Sequence, residues 1–181
     1  CSTIGCEAND ITDIAVINAG LTNVSFAFTA NNSKYVYRHP GGTAGNLIDR
    51  SAEQFAQLKA KELGIDKSVI RMELSGWKIS HFVKEAKNCN FEASDHQLIV
   101  AMDYLRKLHA VKVDKKVKIF DNIEEGKKLM EIASATKGNL CREFSDIINK
   151  VTRLYSFVTE DAERLGYERV LCHNDTYAPN F

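Results

Sequence analysis

The sequence has little that breaks a fold and little that ties one down. Only two prolines and one tryptophan occur in 181 residues, and there is no Pro- or Ser-rich linker, repeat or low-complexity tract. A disordered or repeat architecture is therefore excluded, and the chain is long enough for one good core or two small lobes sharing a cleft. Charge of one sign is not in excess, since 24 Lys and Arg balance 24 Asp and Glu. That argues against a nucleic acid or an anionic membrane as the main partner. No apolar run approaches membrane-spanning length; the longest is Leu98-Ile99-Val100-Ala101-Met102. The five cysteines form an odd set without a C-x-x-C pair. Reduced, mostly buried thiols of a cytoplasmic protein are expected, rather than a disulfide framework or a zinc site. His39, His81 and His96 have no partner at metal-ligand spacing.

What is present is ordered. Ile11–Ala19, Val24–Ala30 and Lys34–Arg38 alternate as strands, with turns at Gly20-Leu21-Thr22-Asn23 and Asn31-Asn32-Ser33. Asn46–Leu63 reads as a helix with Leu47, Phe55 and Leu58 near one face and Gly64 as its stop. Val69–Leu74 and Trp77–Val83 read as two more strands around a Ser75-Gly76 turn. Beyond residue 90, Ser94–His109, Ile123–Thr136 and Leu140–Leu165 are helical in pattern. The fold class expected is α+β, with a strand-rich lobe over 1–83 and a helical lobe over 84–181.

The final residues carry the most specific chemistry. His173-Asn174-Asp175 followed by Asn180 gives H-x-D-x-x-x-x-N. A phosphoryl-transfer loop needs an Asp to accept the proton of an attacking hydroxyl, and an Asn five residues on to hold a metal ion on the phosphates. Upstream, Gly20–Ser25 offers amides and the small polar side chains Thr22, Asn23 and Ser25, which suit phosphates; taken without context, and lacking G-x-G-x-x-G, the segment reads first as an ordinary hairpin turn. Arg38 could neutralise phosphates if an acidic partner held it, with Glu53 the first candidate and Asp49 and Glu62 competing. Solvated surface charges are the bland alternative. Lys78–Val83 is either an extended linker offering backbone to an adenine edge or a buried edge strand. His109 reads as a helix C-terminal residue, Trp77 as core, and 112–118 as a solvated loop.

In this order the pieces resemble the choline/ethanolamine kinase and aminoglycoside phosphotransferase family, of protein-kinase-like fold, and the bacterial choline kinases in particular. Gly20-Leu21-Thr22-Asn23 is similar to that family's phosphate loop, Tyr35-Val36-Tyr37-Arg38 to its third strand, and Asn46–Glu53 to the helix with the partner Glu. Gly76–Ser80 resembles the strand before its hinge, Leu105–His109 its Leu-His helix end, and Leu171–Asp175 with Asn180 its catalytic loop. The resemblance spans residues 11–181. It implies ATP and Mg²⁺ as cofactors, Asp175 as catalytic base, His173 as buttress of the loop and Asn180 as metal ligand. It also implies Thr22, Asn23, Ser25 and Arg38 on the phosphates, Glu53 orienting Arg38, and the backbone of His81 and Val83 on adenine.

A small alcohol is the implied partner, choline before ethanolamine, thiamine or an aminoglycoside. A pseudokinase module of a larger protein, with a fused or adjacent domain, is the other reading. Cys1 in place of Met, and a stop one residue after Asn180, give the expectation that both ends are cut. The family's second acidic motif, Ile-Asp-x-Glu, and its acceptor-binding aromatics are not among residues 1–181. The chain by itself is therefore expected to turn over little and to expose core surface.

Overall fold

The computed structural model describes residues 1–18, 23–41, 48–113, 117, 119–135 and 144–181. They form two compact units, one of residues 1–117 with 170–181 and one of residues 118–169. The boundary expected near residue 83 lies inside the first unit, in the irregular backbone that precedes Asp95.

The first unit is built on an antiparallel five-stranded sheet. Its strands are β1 (Thr12–Ile17), β2 (Asn23–Ala30), β3 (Ser33–Pro40), β4 (Val69–Met72) and β5 (Lys78–His81), in spatial order β1-β2-β3-β5-β4. Alternation sets which side chains share a face. Phe26 pairs with Tyr37 and Phe28 with Tyr35, and Tyr37 and Tyr35 pair in turn with Ile79 and His81. That aromatic face is the core: Phe28, Ala30, Tyr35 and Ile79 are buried with Cys6 from the N-terminal segment, and Ile4, Ile11, Phe26, Tyr37, Ile70 and Trp77 pack around them. Trp77 takes the core position expected of it.

The opposite face of the sheet is polar near its end. Ser25, Arg38 and Lys78 are direct cross-strand partners over β2, β3 and β5, so their side chains stand in one row. Helix α1 (Arg50–Glu62) approaches this sheet through β4, where Gln54 Nε2 donates to the Met72 carbonyl at 2.8 Å. Asp49 caps the helix by accepting from the Ser51 and Ala52 amides at 3.0 and 3.1 Å. At its other end Gly64 has φ +70° and donates to Lys61 O, the stop foreseen there. Helix α1 thus starts at Arg50; positions 46 and 47 of the longer helix expected from the sequence lie outside the described residues. The apolar face read for it is also corrected. Leu58 is 46% exposed, while Glu53, Ala56, Gln57 and Ala60 line a cavity.

Helix α2 (Asp95–His109) is capped by Ser94 Oγ and buries Ala101 and Leu108, with His109 in its last turn as expected. In the second unit, Asp121 accepts from the Ile123 and Glu124 amides and opens α3 (Asn122–Ala135), which packs on α4 (Phe144–Arg164). The cysteine expectation is corrected too: of the four described, only Cys6 is buried, Cys89 is partly so, and Cys1 and Cys172 are exposed. No helix among the described residues is long and apolar enough to cross a membrane.

Candidate active site

The first half of the site grows from the polar row on the sheet. Arg38 Nη2 donates to Glu53 Oε1 at 2.6 Å, and the two side chains are only 21% and 22% exposed. The Arg38–Glu53 pairing foreseen from the sequence is therefore formed. Its competitors are engaged elsewhere, Asp49 as the helix cap and Glu62 with Lys59 at 2.7 Å. The second oxygen of Glu53 accepts from Arg50 Nη1 at 2.5 Å. Arg38 Nε and Arg50 Nη2 are buried without a protein acceptor.

Lys78, beside Arg38 in the row, donates to Gln57 Oε1 at 3.0 Å. Burial, then the neighbouring Arg38 charge, push its amine below the ordinary lysine value, against the pull of Asp66 and Glu53. Burial pushes the Asp66 carboxyl up, but hydrogen bonds from the Ser68 hydroxyl and amide, the Lys78 charge and Gln57 outweigh it. Asp66 ends below its usual value.

The second half is the C-terminal loop. Asn174 takes φ +63°, a conformation that Asn tolerates better than most residues, and this turns the chain sharply between His173 and Asp175. The Asp175 amide donates to His173 Nδ1 at 3.3 Å, and the His173 ring stacks on Phe181 with centroids 5.1 Å apart. Pro179 lies in a short 3₁₀ turn over Ala178–Asn180 that swings Asn180 back toward Asp175. Asn180 Nδ2 donates to Asp175 Oδ2 at 2.8 Å and to the Asp175 carbonyl at 3.3 Å. Phe181 O accepts from the Cys89 amide at 3.3 Å, and Phe91 meets the Phe181 ring edge-on at 5.8 Å, which ties the loop to the segment before α2.

One cavity of about 720 Å³ is lined by residues of both halves, though Arg38, Arg50 and Lys78 themselves stand behind Glu53 and Gln57 and are not among its lining residues. Glu53, Gln57 and Asp66 line it on the α1 side, His173, Asn180 and Phe181 on the loop side, and α2 closes it with Val100, Tyr104 and Leu108. Asp175 is exposed beside this cavity, bonded to Asn180. Ser25 stands in the cation row, and Asn23 opens β2 opposite Pro40. Thr22 lies outside the described residues. His81 and Val83 do not line the cavity. The His81 amide already donates to Ser68 O at 2.9 Å, which leaves its carbonyl and Val83 as the backbone groups a purine edge could meet.

The sequence matches no protein-family model and no curated protein. Solved structures do match. Choline kinase LicA from Streptococcus pneumoniae superposes with a TM-score of 0.73 at 19% identity, over 95% of this chain and 59% of that one. Plasmodium vivax ethanolamine kinase gives 0.63 at 19% identity, over 93% of this chain and 51% of that one. The fold is that of the choline and ethanolamine kinases. Spectinomycin phosphotransferase, in complex with ADP and spectinomycin, shares this kinase fold more distantly, at a TM-score of 0.53 and 13% identity over 94% of this chain and 60% of that one. LicA is also known in complex with AMP. The chain spans between half and three fifths of the length of these proteins.

Within the kinase fold, Arg50, Gln57, Asp66 and Lys78 were not singled out by sequence reasoning as site residues. The signal for Arg50 was its place three residues before Glu53 on one helix face. Lys78 was readable as the partner of Arg38 only once the β3–β5 register is known.

Among the described residues no cluster of three His, Cys, Asp or Glu could hold a metal by itself. The oxygens that remain fit a hard cation shared with phosphates. Asn180 spends its amide N–H groups on Asp175, which leaves its side-chain oxygen for such an ion. The unpartnered guanidinium N–H groups of Arg38 and Arg50 likewise fit an anion.

Proposed function

We propose that this chain is the nucleotide-binding and catalytic-loop portion of an ATP-dependent phosphotransferase acting on the hydroxyl of a small alcohol, with choline the first candidate. Residues 1–83 serve as the nucleotide-binding lobe and 84–181 as part of the helical lobe. The observation that carries the reading is the Asn180–Asp175 bond at 2.8 Å within H-x-D-x-x-x-x-N, on a cavity that also receives the Glu53 partner of Arg38.

In that reading Arg38, held by Glu53, neutralises the phosphates, with Asn23, Ser25 and Thr22 over them and the backbone of His81 and Val83 toward the base. Asp175 accepts the proton of the alcohol. Asn180 fixes one carboxylate oxygen, and the other is the one proposed to take the proton. His173 holds the Asp175 amide and, stacked on Phe181, keeps the loop in shape. Asn180 would hold Mg²⁺, which offsets the charge of the transferring phosphoryl group. Positioning and charge neutralisation supply the rate, since such a transition state asks little covalent chemistry of the protein.

The likeness to choline and ethanolamine kinases supports a quaternary or primary amino alcohol as acceptor, and a cytoplasmic setting where ATP is plentiful. Activity is proposed for the natural polypeptide that carries these residues. The test is ADP release by that polypeptide with choline, ethanolamine, thiamine and an aminoglycoside as acceptors. Release with choline above the others is the expected result. Release with none of them would overturn the reading.

A further inference from the structure

The pairing of Arg38 with Glu53 uses one carboxylate oxygen, and the function proposed above assigns nothing to the other. That oxygen is held by Arg50 at 2.5 Å, and the Arg50 side chain is only 15% exposed. Its seat is the β4–β5 turn. A Cβ on Gly76 would come within 2.7 Å of Arg50 Nε, 2.8 Å of its Cζ and 2.9 Å of Pro40 Cγ. Gly76 also has φ +91°, where a side chain is strained, so the turn is bare where the guanidinium passes. Two guanidiniums thus grip one carboxylate from both sides, and each keeps one buried nitrogen, Nε of Arg38 and Nη2 of Arg50, without an acceptor. Lys78 stands beside Arg38, so three cations face two carboxylates, Glu53 and Asp66. A half-buried excess of positive charge with unmet donors is costly unless an anion completes it.

Resting on the phosphotransferase reading, we propose that Arg38, Glu53 and Arg50 are one phosphate-binding unit in which Arg50 is the positioning residue. It fixes the second oxygen of Glu53, so that Glu53 cannot swing and Arg38 is presented in one orientation to the phosphates of a nucleoside triphosphate. Gly76 is required because any side chain there would displace Arg50.

The experiment uses the natural polypeptide, with ADP affinity from calorimetry, KM for ATP and for the alcohol, and the thermal midpoint of each variant. Arg50→Met is expected to weaken ADP and raise KM for ATP about tenfold, with KM for the alcohol unchanged within about twofold. Arg50→Lys, which keeps one charge but not the fork, is expected to recover affinity to within about threefold of wild type. Gly76→Ala should reproduce the Arg50→Met defect with every charge still present. Should Gly76→Ala not fold, the two Arg50 variants decide.

ADP affinity within about twofold of wild type in Arg50→Met would overturn the proposal. So would equal losses of ADP and alcohol affinity, which mark a merely structural role. Arg38→Met separates the two levels of the account. If it weakens ADP while Arg50→Met does not, only this inference fails; if wild type binds no ADP, the phosphotransferase reading fails and takes this one with it.

Discussion

Replacing Glu53 by Gln removes the one charge that two guanidiniums share and, at nearly unchanged shape, turns one of its two accepting oxygens into an NH2 donor. Exposed ion pairs contribute about 0.2–1 kcal/mol, whereas stripping one partner from a buried pair costs about 3–5 kcal/mol. Glu53, Arg38 and Arg50 are between 15% and 22% exposed, which places this cluster between those limits. Two cations lose their counter-charge at once, so a cost of about 2–3 kcal/mol is expected. For a chain of this size that is a fall of about 4–12 °C in the thermal midpoint. The assay is urea and thermal unfolding followed by circular dichroism, repeated for Glu53→Gln in an Arg38→Met, Arg50→Met background. There the same substitution should cost less than about 1 kcal/mol, because no stranded cation remains. A cost below about 0.5 kcal/mol in the wild-type background, the size of an ordinary surface change, would refute the reasoning and return Arg38 and Glu53 to solvated surface charges.

Phe28→Ala should cost about 3–5 kcal/mol in urea unfolding, because Phe28 is 4% exposed and stacked on Tyr35 at 5.5 Å. Asp66 holds its proton less tightly folded than unfolded, so its contribution to stability is present above its ordinary value of 3.8 and lost as pH falls below it. Asp66→Asn should therefore unfold more easily than wild type at pH 7, and the two unfolding curves should converge as the pH is taken below that value. A gap that persists at low pH would contradict the assignment. Asp175→Asn should leave the thermal midpoint within about 2 °C of wild type, since the carboxylate is exposed, and should leave ADP binding in place.

How much was legible depended on whether the signal was local. The strands were readable because Phe26 and Phe28 alternate with small residues and face Tyr37 and Tyr35, so the period of two survives in a single sequence. The H-x-D-x-x-x-x-N motif was readable because its residues lie in one short loop; the bond between Asn180 and Asp175 was not foreseen, and it follows from the 3₁₀ turn that swings Asn180 back. The inner face of α1 was not. Hydrophobic periodicity pointed to Leu58, which is exposed, because the residues turned inward are Glu53 and Gln57, held by Arg38 and Lys78 instead of by apolar contact. Arg50 was hidden for a different reason. Its burial is decided by a bare turn at Gly76, far along the chain, and no local pattern in the first turn of a helix reports that. The expectation of mostly buried thiols failed as well, and Cys172 is exposed on the loop that carries Asp175.

Phosphoryl transfer to an alcohol at the Asp175–Asn180 loop is the proposal on which the rest depends. The measurement that tests it most directly is ³¹P NMR of Mg·ATP and choline with the natural polypeptide, wild type beside Asp175→Asn. A growing phosphomonoester signal at the expense of the γ-phosphate is expected in wild type, and none from the folded, nucleotide-binding variant. A phosphomonoester formed equally by Asp175→Asn, or by neither protein with any small alcohol offered, would contradict it.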